Sequence, residues 1–417
     1  MMRRVAITGL GVVSAAGIGQ SAFFDALLCA RSGLRAIEVP FPTGTESVVA
    51  GPVLLDTTGT DPAAFIPKAR LMTMDRVSQL ALIAGREAIA QAGLTLDAQG
   101  EARERFGVCM GTGSGGSGST DHAYTALLEQ KALRLRPMTV VLSMHNAIAA
   151  HLSIEFGLQG VSNTISNACA SSANAIGEAF RLIRHGYADV MLAGGADALL
   201  NRGTIKAWQA MNTLAKRHAD GDHASCRPFS ADRSGLVLAE GASVVVLEDW
   251  DHAVKRGATI LAELMGYAAT SDARHLTQPE ASAQARAMGL ALADAQLNMA
   301  DIGYLNAHGT ATDVGDVVET QAIRLAFGVL ADSVAVSSTK AVHGHAMGAA
   351  GAMEFVAAVM ALRSGHLPPT AFLTQPDPRC DLDYIALHAR DEPGVRAVMS
   401  NSFAFGGSNA VLVAKKA

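Results

Sequence analysis

The sequence predicts an α/β protein with largely parallel sheets, built by repeating one fold within the chain. Three observations carry this expectation. Short β-branched runs alternate with longer helical stretches along the 417 residues, an order that lays parallel strands side by side beneath helices. A strand running into a small-residue helix, with a chemically capable residue at the junction, occurs once in each half. The chain is 49% hydrophobic and 17% charged, which demands a large core and a large subunit interface. That length holds two or three average domains or one large duplicated fold.

Taken in order, strand candidates are 5–8, 106–110, 161–166, 189–193, 243–248, 260–264, 334–337 and 409–414. The first follows Met1-Met2-Arg3-Arg4 and runs into VAITGLGVVSAAG, which has the ingredients of a short signal peptide. Gly9, Gly11 and Gly17 interrupt the apolar run, so a first strand leading into a Gly-rich turn is the better reading. At 75–91, Val77, Leu80, Ala81, Ala84 and Ala88 recur at helical spacing and make one apolar face. The polar stretch 216–227 reads as a surface excursion. The run AMGAAGAMEFVAAVMAL after His345 approaches membrane-spanning length, which is roughly 20 apolar residues. With Glu354 inside it and Ala and Gly dominating, it is expected as a buried helix.

The internal echo joins VSNTIS, Asn167-Ala168-Cys169 and ASSANAIGEAF in the first half to VAVSSTK, Gly344-His345 and AMGAAGAMEFV in the second. Duplication explains it; so does likeness between any two Ala-rich helices.

A net charge of −5 gives no basic footprint for nucleic acid. The five cysteines, Cys29, Cys109, Cys169, Cys226 and Cys380, are odd in number, dispersed and without C-x-x-C. A disulfide framework or zinc site is therefore not expected, and a reducing cytoplasm is.

Candidate chemistry sits at strand ends. Cys169 lies where a strand meets a helix, so the helix dipole favours thiolate and unpaired backbone N–H groups can receive an oxyanion. A core cysteine in an Ala-rich helix is the competing reading. His308 heads His308-Gly309-Thr310-Ala311-Thr312, followed by Asp316. Thr310 and Thr312 offer hydroxyls to an amide-bearing arm, or to their own backbone. His345 starts the second helix, with Lys340 as the obvious partner for Glu354, since a lone buried carboxylate is costly. His343 reads as packing or surface. Asn401–Asn409 carries Phe403 and Phe405 before a Gly-Gly turn, either an aromatic gate or an ordinary hairpin. Gly111-x-Gly113-x-x-Gly116 matches a dinucleotide fingerprint only as a string, because the run is too glycine-rich to open a helix cleanly.

Together these motifs resemble the decarboxylating β-ketoacyl-acyl-carrier-protein synthases. They run from VAITGLGVVSAAG through N-A-C-A-S-S, RPFSADRSGLVLAEGA, NAHGTATDVGD and GHAMGAAG to SNSFAFGGSNA, almost the whole chain. The resemblance implies a thiolase-like fold, duplicated in five α-β-α-β-α layers, usually dimeric, with one half at 1–250 carrying the nucleophilic cysteine and the other at 251–417 carrying the two histidines. Cys169 resembles the acyl-accepting nucleophile, with His308 and His345 as the paired histidines. The backbone N–H groups of Cys169 and Phe405 resemble the oxyanion hole, and Phe405 the gate between acyl and malonyl sites. Thr310 and Thr312 resemble the pantetheine-binding threonines; Lys340, Glu354 and Asp316 resemble supporting charges. No metal or redox cofactor is implied, since phosphopantetheine arrives on the carrier protein. Implied partners are acyl carrier protein and a second copy, or a chain-length-factor-like subunit, with neither nucleic acid nor membrane. Implied function is acyl-chain elongation in fatty-acid synthesis, with a specialised polyketide or aryl-polyene ketosynthase as alternative and a non-catalytic partner subunit as another. Lys68, Arg70, Arg76, Lys206, Lys216 and Arg217 are candidate docking charges for the acidic carrier. Departures from the pattern are Ala341 after Lys340, His343 before Gly344, Leu236 for an aromatic, Ala239 for glycine, and Ser114 for a larger acyl-pocket residue. The last predicts a wider or more polar acyl pocket.

Overall fold

A computed structural model describes residues 2–55, 66–94 and 103–417. Ten strands of the described residues carry the fold. The first set is β1 (Val5–Ser14), β2 (Phe106–Gly111), β3 (Ser162–Ile165), β4 (Val190–Asp197) and β5 (Gly241–Asp249). The second is β6 (Ala262–Ser271), β7 (Ile302–Asn306), β8 (Ala335–Ser337), β9 (Ala397–Ala404) and β10 (Ser408–Lys415). Their spatial order is β3-β2-β4-β5-β1 and β8-β7-β9-β10-β6. Each set therefore places its third, second, fourth, fifth and first strands side by side, which is the signature of duplication. The two sheets meet where Val5, Ala6 and Ile7 pair with Leu264, Glu263 and Ala262.

The expectation of largely parallel sheets needs correction. In the first set β2 runs parallel to β3 and β4, whereas β4, β5 and β1 alternate in direction. The second set repeats this pattern. β9 returns as β10 through the short turn 405–407 and so must run antiparallel to it, whereas β4 and β5 are antiparallel although residues 198–240, with the helix Arg202–Ala210, lie between them.

Six helices fill three layers: α1 (Arg76–Ala92), α2 (Ala147–Phe156), α3 (Ser171–Arg184), α4 (Ala281–Ala295), α5 (Asp313–Phe327) and α6 (Ala350–Ser364). α3 and α6 pack together between the sheets, α1 and α2 cover one outer face, and α4 and α5 the other. The five layers are thus α-β-α-β-α.

Local sequence accounts for these elements. The Asp75 side chain accepts from the Val77 N–H, and Gly93 ends α1 with φ at 62°. All five apolar residues of the predicted face are buried. β1 is longer than expected because Gly9 and Gly11 belong to the strand rather than to a turn. A methyl group at Gly11 would lie 1.9 Å from the Ala84 carbonyl oxygen, so the missing side chains let α1 lie against the strand. The near-membrane-length run is the centre of the molecule: 83% of Met347–Ser364 is buried. Residues 216–223 form a surface excursion, but Ala224 to Arg227 return to the interior.

Candidate active site

Both junctions of the internal echo open onto one cavity of about 1160 Å³. β3 ends at Ile165, and one turn of 3-10 helix, Ala168–Ala170, leads into α3. After β8, Met347–Ala349 leads into α6 in the same way. Ala168 and Met347 have φ of 48° and 47°, a left-handed bend that side-chain-bearing residues seldom adopt. The same unusual bend at both places argues for duplication over accidental likeness. At the first junction the bend presents Cys169 at the tip of α3.

His345 Nε2 lies 3.2 Å from Cys169 Sγ. The His308 ring stands edge-on to that of His345, with centroids 5.4 Å apart at 82°. One donor atom from each of the three residues falls within 4.8 Å of the others. Their partners assign the ring protons. The Met347 N–H donates to His345 Nδ1 at 3.3 Å, and the Lys340 ammonium faces His308 Nδ1 at 3.4 Å. Both Nδ1 atoms are thus acceptors, leaving the proton of each ring on Nε2. Burial, with the Lys340 charge adding to it, holds both imidazoles well below their ordinary pKa and hence neutral.

Burial pushes the Cys169 thiol up to about 12, opposed by Lys340 and by the Phe405 N–H that donates to the sulfur. Position at a helix tip favours thiolate, but at this buried sulfur desolvation outweighs it, which favours the thiol at rest. The thiolate form would be met by protein donors, His345 Nε2–H and Phe405 N–H, rather than by water.

The supporting charges fall where the sequence placed them. Lys340 and Glu354 form a fully buried ion pair, and the ammonium also donates to the His308 carbonyl. Asp316 accepts from the N–H groups of Phe229 (2.7 Å) and Ala311 (3.1 Å), fastening the loop after His308 to the 227–229 segment. Thr310 and Thr312 line the cavity with their hydroxyls 3.0 Å apart. Thr312 also caps α5, accepting from the Gly315 N–H at 3.2 Å, so it serves its own backbone and the cavity at once. Phe405 lies at the tip of the β9–β10 hairpin and lines the cavity. His343 is fully buried against Phe23 and Thr339, away from the sulfur.

Ser114 is not brought to this cavity, whose lining omits it. Its N–H donates to Asp197 at 3.1 Å. The candidate docking charges also divide. Arg70 pairs with Glu155, Arg76 with Glu240 and Lys206 with Glu46. Lys216 and Arg217 are exposed and line the cavity, the latter beside Asp222.

Four contributors were not anticipated. Glu319 on α5 is buried and accepts from the N–H groups of His308 (2.8 Å) and Gly309 (2.7 Å), holding the histidine's backbone. An acidic residue within the apolar run of α5, like Glu354 within α6, is the signal that marks it. Asp197, the first charge after the apolar run of β4, accepts from Thr112, Gly113, Ser114 and Gly348, tying the two halves together. This explains why the glycine-rich loop after β2 is structural rather than a nucleotide cradle. Arg233 bonds Asp377 (2.7 Å) and the Thr312 carbonyl (3.1 Å) beneath the cavity. Trp208 stacks on Phe405 with centroids 5.9 Å apart.

Residues 2–253 match the family description "Beta-ketoacyl synthase, N-terminal domain", and 261–374 its C-terminal domain. The chain is 44% identical over 416 residues to nodulation protein E of Rhizobium meliloti (strain 1021), covering 100% of both. It is 37% identical over 416 residues to 3-oxoacyl-[acyl-carrier-protein] synthase 2 of Staphylococcus aureus (strain N315), covering 99% of this chain and 98% of that protein. A solved type II PKS acyl-carrier protein in complex with its ketosynthase bound to the hexaketide superposes with a TM-score of 0.90 at 31% identity, covering 100% of both chains.

Proposed function

The chain belongs to the β-ketoacyl synthase family and is a condensing acyltransferase; from that footing we propose how its cavity divides the work. The Cys169 sulfur attacks the acyl thioester carbonyl of acyl carrier protein, and the bond to the phosphopantetheine sulfur breaks. That sulfur leaves as the carrier's thiol, taking up the proton Cys169 gives up, which splits one difficult step into two. The acyl carbonyl oxygen, as it becomes an oxyanion, is held by the N–H groups of Cys169 and Phe405. Malonyl carrier protein enters next, with Thr310 and Thr312 gripping the amides of its phosphopantetheine arm. The bond to the malonyl carboxylate breaks, carbon dioxide leaves, and its electron pair forms an enolate. His308 and His345 each point an Nε2–H at that oxygen. The enolate carbon then attacks the acyl carbonyl, the new carbon–carbon bond forms, and the bond to Cys169 sulfur breaks. Sulfur leaves as thiolate and is reprotonated. Every step is carried by neutral imidazoles and backbone donors, so the proposed cycle uses no metal or redox cofactor.

The observation that carries this reading is Cys169 at a helix tip, 3.2 Å from one imidazole of a perpendicular pair, inside a large cavity. Intact mass after incubation with a panel of acyl carrier proteins tests it. The expected result is one acyl adduct lost on adding malonyl carrier protein, and none in Cys169→Ala. No adduct from any donor would overturn it.

We propose acyl-chain elongation as the main role, with Lys216 and Arg217 guiding the acidic carrier to the mouth. The likeness to a type II PKS ketosynthase supports polyketide extension as the second reading; repeated condensation on one adduct distinguishes it from single elongation. A second copy of the chain is proposed to pack on the edge strand β3, which ends its sheet. The adjoining segments expose the large apolar side chains Leu128, Leu133, Val140 and Ile154 at 69% or more, and burying such surface favours an interface. Light scattering separates a homodimer from a monomer that awaits a chain-length-factor-like subunit. With all five cysteines free, the cytoplasm is the proposed setting.

A further inference from the structure

The two faces of the Phe405–Trp208 stack are mounted differently. Trp208 stands on a helix, Arg202–Ala210, capped by the Asn201 side chain at the Thr204 N–H (3.0 Å). Lys206 and Gln209 of that helix both bond Glu46 on the neighbouring hairpin, pinning it. Phe405 precedes Gly406 and Gly407, whose φ values of 83° and 71° are open to glycine. A methyl group at Gly406 would meet nothing within 4 Å, whereas one at Gly407 would lie 2.7 Å from Asp272 Cβ, and the Gly406 N–H donates to the Leu276 carbonyl at 2.7 Å, so the free space of the hinge is beside Gly406. Both rings line the cavity that holds Cys169, and the Phe405 N–H touches its sulfur.

We propose that Trp208 is the positioning residue of the aromatic gate: its fixed indole latches the hinged Phe405 ring in the unacylated enzyme, and an acyl chain on Cys169 parts the stack. The proposal rests on the acylation of Cys169 and on Phe405 as the gate between acyl and malonyl sites. The latch keeps malonyl carrier protein from being decarboxylated before an acyl group is in place. Its strength is that of one aromatic pair, which controls an equilibrium by about 2- to 12-fold.

Two measurements test it. Trp208 and Trp250 are the two tryptophans of the chain, and Trp250 sits under the Arg4 guanidinium, 3.5 Å from its ring centre. In a Trp250→Phe protein, Trp208 is the single indole. Acylation of Cys169, followed by mass, is expected to shift its emission to longer wavelength as the indole loses its aromatic cover. Where that variant folds poorly, the difference spectrum between wild type and Trp208→Phe supplies the same signal. Separately, Trp208→Ala is expected to raise uncoupled malonyl decarboxylation relative to condensation by about 2- to 12-fold, and Trp208→Phe to restore coupling. Full acylation with unshifted emission, or an unchanged ratio in Trp208→Ala, overturns the latch alone. Failure of Cys169 to acylate overturns the functional reading and the latch with it.

Discussion

Glu319→Gln separates the positioning of His308 from the chemistry of Cys169. The carboxylate accepts from the N–H groups of His308 at 2.8 Å and Gly309 at 2.7 Å, with Asn401 a weaker third donor at 3.4 Å. Glutamine keeps the volume but turns one oxygen into an NH2. Whichever way the amide sits, one backbone N–H then faces another donor in a site closed to solvent. Losing one hydrogen bond to a charged acceptor costs about 1.5–3 kcal/mol. Both N–H groups belong to the turn that aims the imidazole, so the cost falls on His308. Malonyl decarboxylation should drop by about 10- to 150-fold, at tenfold per 1.4 kcal/mol. Cys169 lies at a different junction and should acylate at the wild-type rate. The assay is carbon dioxide release from malonyl carrier protein beside intact-mass kinetics of acylation. Parallel loss of both activities, or undiminished decarboxylation, would refute the assignment of Glu319 as the support of His308.

Three further outcomes are expected. Gly11→Ala forces a methyl group to within 1.9 Å of a backbone oxygen that cannot rotate away; a cost of about 1–3 kcal/mol spread over a chain this long lowers the melting temperature by about 1 to 3 °C, and an unchanged calorimetric midpoint would contradict the packing argument. Burial raises Asp197 from 3.8 to about 6, so its titration contribution is fully present below pH 3.8 and is lost as pH rises through 6; Asp197→Asn does not titrate, so its stability penalty should be larger in denaturation at pH 5 than at pH 7.5, and the reverse order would remove the linkage. Lys216→Glu should raise the KM for carrier-bound substrate while leaving kcat unchanged, with the gap closing as salt is added; a salt-independent effect would argue against electrostatic docking.

Much of this protein was legible in one dimension because its signals are local. Helical spacing places α1 within a residue of 75–91, and the small-residue helices after Cys169 and His345 mark both junctions and the duplication behind them. Cys169, His308, Lys340, His345 and Glu354 stand out because each is costly or reactive in an otherwise apolar setting; the cavity gathers the cysteine and both histidines, and Lys340 and Glu354 pair behind them. What tertiary structure decided are properties created by distant partners. Strand direction depended on which strands pair across the sheet, so half of each sheet is antiparallel. Gly9 and Gly11 became strand residues only because α1 lies against them. Ser114 lies outside the cavity lining with its N–H on Asp197, and Arg70, Arg76 and Lys206 were taken up by carboxylates far along the chain. The protonation of Cys169 was likewise settled by enclosure: a helix tip can be read from sequence, but the loss of water around the sulfur exists only after folding.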